Sequence, residues 1–268
     1  MATSLSSRLT LRFVAVGYLV LLVMVPLAMI FYRTFEHGFG AFWEQVTTPA
    51  GISAISLSLT IVAIVVPLNV LFGVVTALAL ARGRFRGRRI VETIVDLPFA
   101  VSPVIIGVSL ILLWGVDGWF GGLAEHGFRV IFSLPGMVIA TIFVTLPFVV
   151  REVEPVLHEI GDEQEQAAAT LGASWRQTFW RITLPAIRWG LAYGVVLTVA
   201  RALGEFGALI IVAGGVSGES QTLTLLVHAR YIDDHNVFGA YAAATVLMGL
   251  ALLTLFLMTL LNKRRESA

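Results

Sequence analysis

The chain has no cysteine and a single lysine, Lys263, among its 268 residues. The first absence excludes disulfides, zinc thiolates and thiol nucleophiles. The second excludes a phosphate loop of the GxxxxGK[ST] type, which needs a lysine directly after glycine, whereas Lys263 follows Asn262. Charge is scarce as well: 13% of residues are charged, against about 25% in an ordinary soluble domain. No polar stretch is long enough for a soluble domain, and the net charge of +1 gives no reason to expect nucleic acid. His158-Glu159 begins like a zinc-protease pattern, but position 162 is Asp rather than His. The other histidines (His37, His126, His228 and His235) fall in loops read as external and solvated. Neither a metal site nor a catalytic residue is expected.

What the chain does have is apolar length. Mean hydropathy is +0.89 and 57% of residues are hydrophobic. A spanning helix needs about 20 mostly apolar residues. Such stretches run over 13–32, within 45–81, and over 97–116, 130–150, 189–212 and 237–262. The expected fold class is therefore all-α, a polytopic membrane protein with about six transmembrane helices. The first stretch has Arg8 and Arg12 before it and no small-x-small cleavage site after it, so it reads as an anchor.

Arginine and lysine in alternate loops set the orientation. One side carries Arg8, Arg12, the cluster Arg82, Arg84, Arg86, Arg88 and Arg89, then Arg151, Arg176, Arg181 and Arg188, and finally Lys263, Arg264 and Arg265. The other side has only Arg33, Arg129 and Arg230. Fourteen against three places both termini in the cytoplasm. The Arg82–Arg89 cluster then lies at the anionic inner leaflet, flanked by membrane helices.

The one long polar stretch lies between the fourth and fifth spans. Pro155 suits the first turn of a helix, and Val156, Ile160, Ala167, Ala168 and Leu171 form a narrow apolar stripe. Glu159, Asp162, Glu163 and Glu165 occupy the other faces. Gly172 suits a left-handed terminator. Ser174 with Gln177 is a capping box for a second helix, lined by Trp175, Phe179 and Ile182 and expected to end at Pro185. Two readings fit this helix–turn–helix: a small-residue contact face for another protein, or an amphipathic hairpin on the bilayer.

Gln166-Ala167-Ala168-x-x-x-Gly172, followed by Ile182-x-Leu184-Pro185, resembles the EAA loop of ABC-importer permeases. The family's glutamate position is Gln166 here, with Glu165 beside it. Three further strings are similar to sulfate/thiosulfate permeases of the CysW type. They are Asp96-Leu-Pro98-Phe-Ala-Val-Ser-Pro103, Phe143 to Glu152, and Arg201-Ala-Leu-Gly204-Glu205-Phe206-Gly207-Ala208. Molybdate and tungstate permeases share the last string.

The resemblance implies a type I ABC-importer permease fold in the cytoplasmic membrane. It divides the chain into a cytoplasmic N-terminus (1–12), a membrane domain (13–262, with its core about 53–262 and its coupling loop 152–188) and a cytoplasmic tail (263–268). Glu163, Glu165, Gln166, Ala167, Ala168, Gly172, Ile182, Leu184 and Pro185 would form the coupling loop. The implied partners are an ATP-binding ABC subunit, a second and paralogous permease subunit, an extracytoplasmic sulfate-binding protein and the lipid bilayer. This chain would bind no cofactor, with ATP and Mg held by the partner ATPase. An intramembrane enzyme using Glu205 is the rival from another class, but no second carboxylate is expected at comparable depth. A membrane scaffold without transport would leave the loop motif unexplained.

Arg201 and Glu205 stand one helical turn apart inside the fifth apolar stretch, where charge is costly and usually functional. The third stretch is interrupted by Pro98 and Pro103, and Ser102-Pro103 reads as N-cap and first residue of a restarted helix. Counting about 1.5 Å per residue from Ile90 and Trp189 puts Ser102 and Arg201 each roughly 18 Å deep. Asp96 comes out at roughly 9 Å, too shallow to pair with Arg201. Ser102, Pro103, Arg201 and Glu205 are candidates for a translocation path. Alternatively, Arg201 and Glu205 lock helix five to its neighbours.

The absence of native cysteine makes the topology directly testable. Gly38→Cys and Ser217→Cys should react with an impermeant maleimide added outside the cell, and Arg86→Cys should not. Outside labelling of position 86 would overturn the orientation.

Overall fold

A computed structural model describes residues 5–122, 126–127 and 129–266, with side chains described from 12 to 260 within those limits. The side chains of Arg8, Lys263, Arg264 and Arg265, and residues 267–268 of the expected tail, lie outside the described residues. The first apolar run forms α1 (Leu5–Leu19) and α2 (Val25–Phe35), joined by a π-helical turn at Val20–Met24. A short aromatic-rich α3 (Gly38–Val46) follows, then α4 (Pro49–Arg82), α5 (Arg88–Ala100) and α6 (Pro103–Trp114). The second half consists of α7 (Leu134–Ile160), α8 (Glu163–Thr170), α9 (Trp175–Thr178), α10 (Leu184–Leu203), α11 (Leu209–Val212), α12 (Leu223–His228) and α13 (Val237–Glu266). Two further π-helical turns, Phe179–Thr183 and Ala229–Asp233, follow α9 and α12.

Among the described residues, five helical runs are long and apolar enough to cross a membrane: Arg12–Phe35, Pro49–Arg82, Leu134–Ile160, Trp175–Leu203 and Val237–Leu260. The sixth expected span is the pair α5 and α6, bent by 112°. The protein is thus an all-α polytopic membrane protein.

The bundle is built around α7, which packs against α4 on one side and α10 on the other. The lower part of its buried stripe (Val149, Val150, Val153, Leu157) meets a face of α4 that includes the small residues Gly73 and Ala77 beside Val74 and Leu80. Apolar helices gain nothing from leaving lipid for one another, so small residues that permit close van der Waals approach decide the packing. A Cβ built on Gly73 would lie 2.7 Å from the Val149 side chain, and one on Gly194 of α10 would lie 3.1 Å from the Val149 Cα. Val149 is therefore the point where three helices touch. Asn69 Nδ2 donates to Thr145 Oγ1 at 2.6 Å and ties α4 to α7 inside this apolar layer. The N-terminal helix is different. Residues 13–24 are exposed, and α2 is fastened to α13 by the 2.7 Å Thr34–Thr245 hydroxyl pair.

Several expectations about boundaries need correction. Pro155 does not open a helix: α7 runs through it to Ile160, because Pro155 is exposed while Val153 and Leu157 on either side are fully buried. Packing of that stripe outweighs the roughly 3 kcal/mol that an interior proline costs. Val156 and Ile160 therefore belong to α7, and Gly161 (φ +65°) separates them from α8. Pro185 does not end the second loop helix either. The chain stays helical from Trp175 to Leu203 through a π-turn, with Pro185 in the first turn of α10. Pro98 lies inside α5, so Pro103 alone marks the restart. The fifth apolar stretch is not one helix to 212: α10 stops at Leu203, and the chain breaks before the short α11.

Gly194→Val and Gly73→Val should each separate α7 from a neighbour, at about 1–3 kcal/mol for an overpacked site. Gly17→Val, with nothing within 4 Å of the built Cβ, is the control. The thermal unfolding midpoint in detergent should fall for the first two and stay unchanged for the third.

Candidate functional site

Two regions carry the candidate residues. In the first, α8 projects from the bundle and buries none of its residues. Gln166, Ala167, Leu171 and Gly172 are exposed, Leu171 at 88%. Gly172 has φ +82°, the left-handed value expected of a glycine terminator. The Ser174–Gln177 capping box is present in full. Of the apolar residues expected to line the second helix, Phe179 packs into the core, Ile182 is half-buried and Trp175 is 77% exposed. Leu184 is half-buried against the same core and Pro185 is exposed. Glu163 and Ala168 are exposed and half-buried respectively.

Glu165 is turned inward. Its Oε2 accepts from Arg82 Nε at 3.1 Å, and its Oε1 accepts from Thr183 Oγ1 at 2.8 Å. The same Arg82 donates from Nη1 to the Leu157 carbonyl at 2.8 Å and from Nη2 to the Gly161 carbonyl at 2.5 Å. All three guanidinium nitrogens are engaged, a fork that arginine offers and lysine does not. Arg82 is a missed residue: the sequence shows it only as one of a basic cluster.

In the second region, two interruptions of the bundle meet. At the α5–α6 bend Ser102 occupies the N-cap position as expected, but its side chain makes no capping hydrogen bond and is exposed. Pro103 opens α6 and packs against Gly207, where a built Cβ would lie 3.1 Å from Pro103 Cβ. Gly107, one turn into α6, abuts Ile211 of α11 just as closely. Pro103 therefore lies beside Gly207, a residue outside the four expected to line a path. The 112° bend invalidates the depth count for Ser102 along a straight helix.

Glu205 organises the second break. It is 1% exposed; its Oε1 accepts from the Ala208 N–H at 2.8 Å, and its carbonyl accepts from Thr224 Oγ1 at 2.7 Å. Its Oε2 lies 2.7 Å from Arg201 Nη1, a close charge contact without an aligned hydrogen bond. Arg201 itself keeps 32% side-chain exposure. Ser58 Oγ accepts from the Leu223 N–H at 2.9 Å and completes the anchoring of α12. The charge of Arg201 is therefore largely spent on Glu205, and the geometry favours the locking reading of this pair over a free cationic site.

Asp96 pairs with Arg151 of α7 through two hydrogen bonds, one at 2.8 Å. His228 is half-buried in α12 with its ring 5.3 Å from Phe206, rather than solvated in a loop. Arg230 is buried as well, donating to the Gly239 and Gln45 carbonyls and to Thr48 Oγ1. Burial pushes its guanidinium below the ordinary value, with the charge of Asp234 opposing. Counting charges along the sequence cannot distinguish this structural arginine from a solvated one.

Arg201→Gln should strand the buried Glu205 carboxylate, at about 3–5 kcal/mol. Glu205→Gln should cost less, because an amide oxygen can still accept from the Ala208 N–H and Arg201 is less deeply buried than Glu205. The double variant should recover most of the Arg201→Gln loss. Unfolding midpoints in detergent check this, and equal losses in both singles would contradict the lock.

Residues 69–267 match the family described as binding-protein-dependent transport system inner membrane component. The chain is 48% identical over 251 residues to the sulfate transport system permease protein CysW of Synechocystis sp., covering 93% of this chain and 91% of that one. It is 44% identical over 257 residues to the CysW protein of Escherichia coli K12, covering 95% and 88%. Among solved structures, a bacterial ABC transporter involved in the import of the acidic polysaccharide alginate superposes with a TM-score of 0.77 at 18% identity, covering 96% and 94%. That likeness extends the shared fold to nearly the whole chain.

Proposed function

The chain belongs to the family of binding-protein-dependent transport system inner membrane components, and on that premise we propose that it is the membrane-spanning permease subunit of an ATP-driven sulfate importer. The observation that carries the reading is the 44–48% identity to sulfate permeases over more than nine-tenths of the chain. It is a multi-pass protein of the cytoplasmic membrane. The chain supplies the path, and ATP with Mg is held by a partner ATPase subunit. An extracytoplasmic sulfate-binding protein delivers the anion, and a second, paralogous permease completes the path.

The exposed apolar face of α8 supports docking on the ATPase. Eight residues, none of them fully buried, are a poor element of a bundle but a good contact surface for another protein. Gln166, Ala167 and Leu171 lie on it, flanked by Gly172. Both termini then face the cytoplasm, on the side of this helix. The small N-terminal elements of α6 and the 204–207 break support a path lined near Pro103 and Gly207, with Arg201 and Glu205 holding its wall.

Ala167→Trp should block close approach, and Gly172→Val should strain a backbone region that β-branched residues rarely occupy. Both variants should insert normally, lose co-purification with the ATPase, and lose uptake of labelled sulfate into proteoliposomes. Gln166→Glu should be tolerated. Normal complex formation and uptake by the first two would refute docking through this face. Uptake of molybdate in place of sulfate by the unaltered complex would move the substrate to the related oxyanion.

A further inference from the structure

We propose that Arg82 is the residue through which movement of α8 is passed into the membrane helices. The inference rests on the permease reading above and assigns a positioning role to a residue outside the docking face.

The α8 helix is held between two flexible points. Gly161 before it has φ +65° and ψ −172°, a region open essentially to glycine alone. Gly172 after it has φ +82°. Neither glycine would meet any atom within 4 Å if a Cβ were added, so no packing stiffens these joints. No apolar side chain of α8 is fully buried, so apolar contact holds it to the bundle only weakly. A push on the exposed face would then swing α8 about its two glycines and go no further.

The Glu165 carboxylate is what resists this. It is bonded on one oxygen to Arg82, the last residue of α4, and on the other to Thr183, at the start of α10. Arg82 also grips the carbonyls of Leu157 and Gly161, which fixes the first joint itself to the end of α7. Both charged partners are about four-fifths buried, at 21% and 22% side-chain exposure, so the pair is shielded from much of the screening that weakens surface pairs. The guanidinium thus joins α8 to α4 and α7, and Thr183 joins it to α10. These are the three helices that touch at Val149. A displacement of α8 must move their ends or break charge-assisted hydrogen bonds.

The test uses the complete complex, with its partner permease, ATPase and sulfate-binding protein, in proteoliposomes. Labelled sulfate uptake and ATP hydrolysis are measured together. Arg82→Ala leaves Gln166, Ala167 and Leu171 in place, so the ATPase should still co-purify and hydrolyse ATP. Sulfate imported per ATP should fall at least roughly fivefold, the lower end for a coupling between sites. Arg82→Lys should recover part of it, since charge survives without the fork. Glu165→Gln combined with Thr183→Val severs the other end and should uncouple likewise. Adding Arg82→Ala to that pair should make little further difference, as expected of residues acting as one unit. An unchanged ratio of sulfate to ATP in an assembled Arg82→Ala complex would overturn the proposal, as would failure of both the Arg82→Ala and the Glu165→Gln/Thr183→Val complexes to assemble. Absence of sulfate uptake by the unaltered complex would instead defeat the functional reading on which the proposal rests.

Discussion

The close contact at Val149 is the constraint on which the remaining structure depends. In a soluble protein a bundle can tolerate imperfect helix packing because apolar burial is favourable wherever it occurs. In lipid the alternative to a helix contact is an equally apolar acyl chain, so only contacts closer and better fitted than lipid can provide are stabilising. Gly73 and Gly194 let α4 and α10 approach α7 from opposite sides at the level of one valine. The position of that valine then determines where the ends of all three helices emerge. Those ends carry Arg82 and Thr183, which donate to Glu165, and Leu157, whose carbonyl accepts from Arg82. Helix packing deep in the bundle and the posture of the polar loop are thus parts of one arrangement.

The second constraint concerns broken backbone. Inside a membrane, polar backbone groups freed by a helix break need partners from the protein. The interruption at 204–208 finds them in side chains: Glu205 accepts from the Ala208 N–H, and Thr224 donates to the Glu205 carbonyl. A carboxylate is a strong acceptor for this purpose, but it brings a buried charge that is unfavourable alone. Arg201, one turn earlier, offsets that charge while keeping part of its own side chain exposed. On this account the arginine is present because the glutamate is, and the glutamate because the helix stops. Placing the restart of α6 against Gly207 then sets two non-helical segments side by side, where a bundle is easiest to open.

Much of this was legible in the sequence, and the parts that were not share a cause. Hydrophobic length pointed to the five long apolar runs and the bent α5–α6 pair, though not to all their bounds, and local chemistry located the Gly172 turn, the Ser174–Gln177 box and the helix start at Pro103. Prolines misled where their environment reversed the propensity. Pro155 looks like a helix start in isolation, yet the stripe Val149, Val153 and Leu157 continues past it and the ring faces outward. The 204–208 break was hidden because Arg201 and Glu205 are spaced like neighbours on an uninterrupted helix, and they do pair at that spacing even though the helix ends between them. Arg82, Arg151 and Arg230 were counted as loop charges. Each instead spends its donors on specific partners, a distinction that depends on contacts distant in sequence.

The identity of residues 165 and 166 acquires a physical meaning in this light. On a short helix with an exposed face and a face turned toward the bundle, adjacent positions point about 100° apart. Glu165 faces the bundle and finds a cation and a hydroxyl there; Gln166 faces outward. On the proposed coupling-loop reading, the family's glutamate falls at the outward position, so glutamine there alters the exposed face and leaves the internal clamp untouched. The neighbouring carboxylate cannot supply the outward charge, since turning it out would leave Arg82 without its anionic partner and Thr183 without its acceptor. On the proposed docking, residue 166 presents an amide, so its complement on the ATPase should be hydrogen-bonding groups rather than a cation aimed at that position.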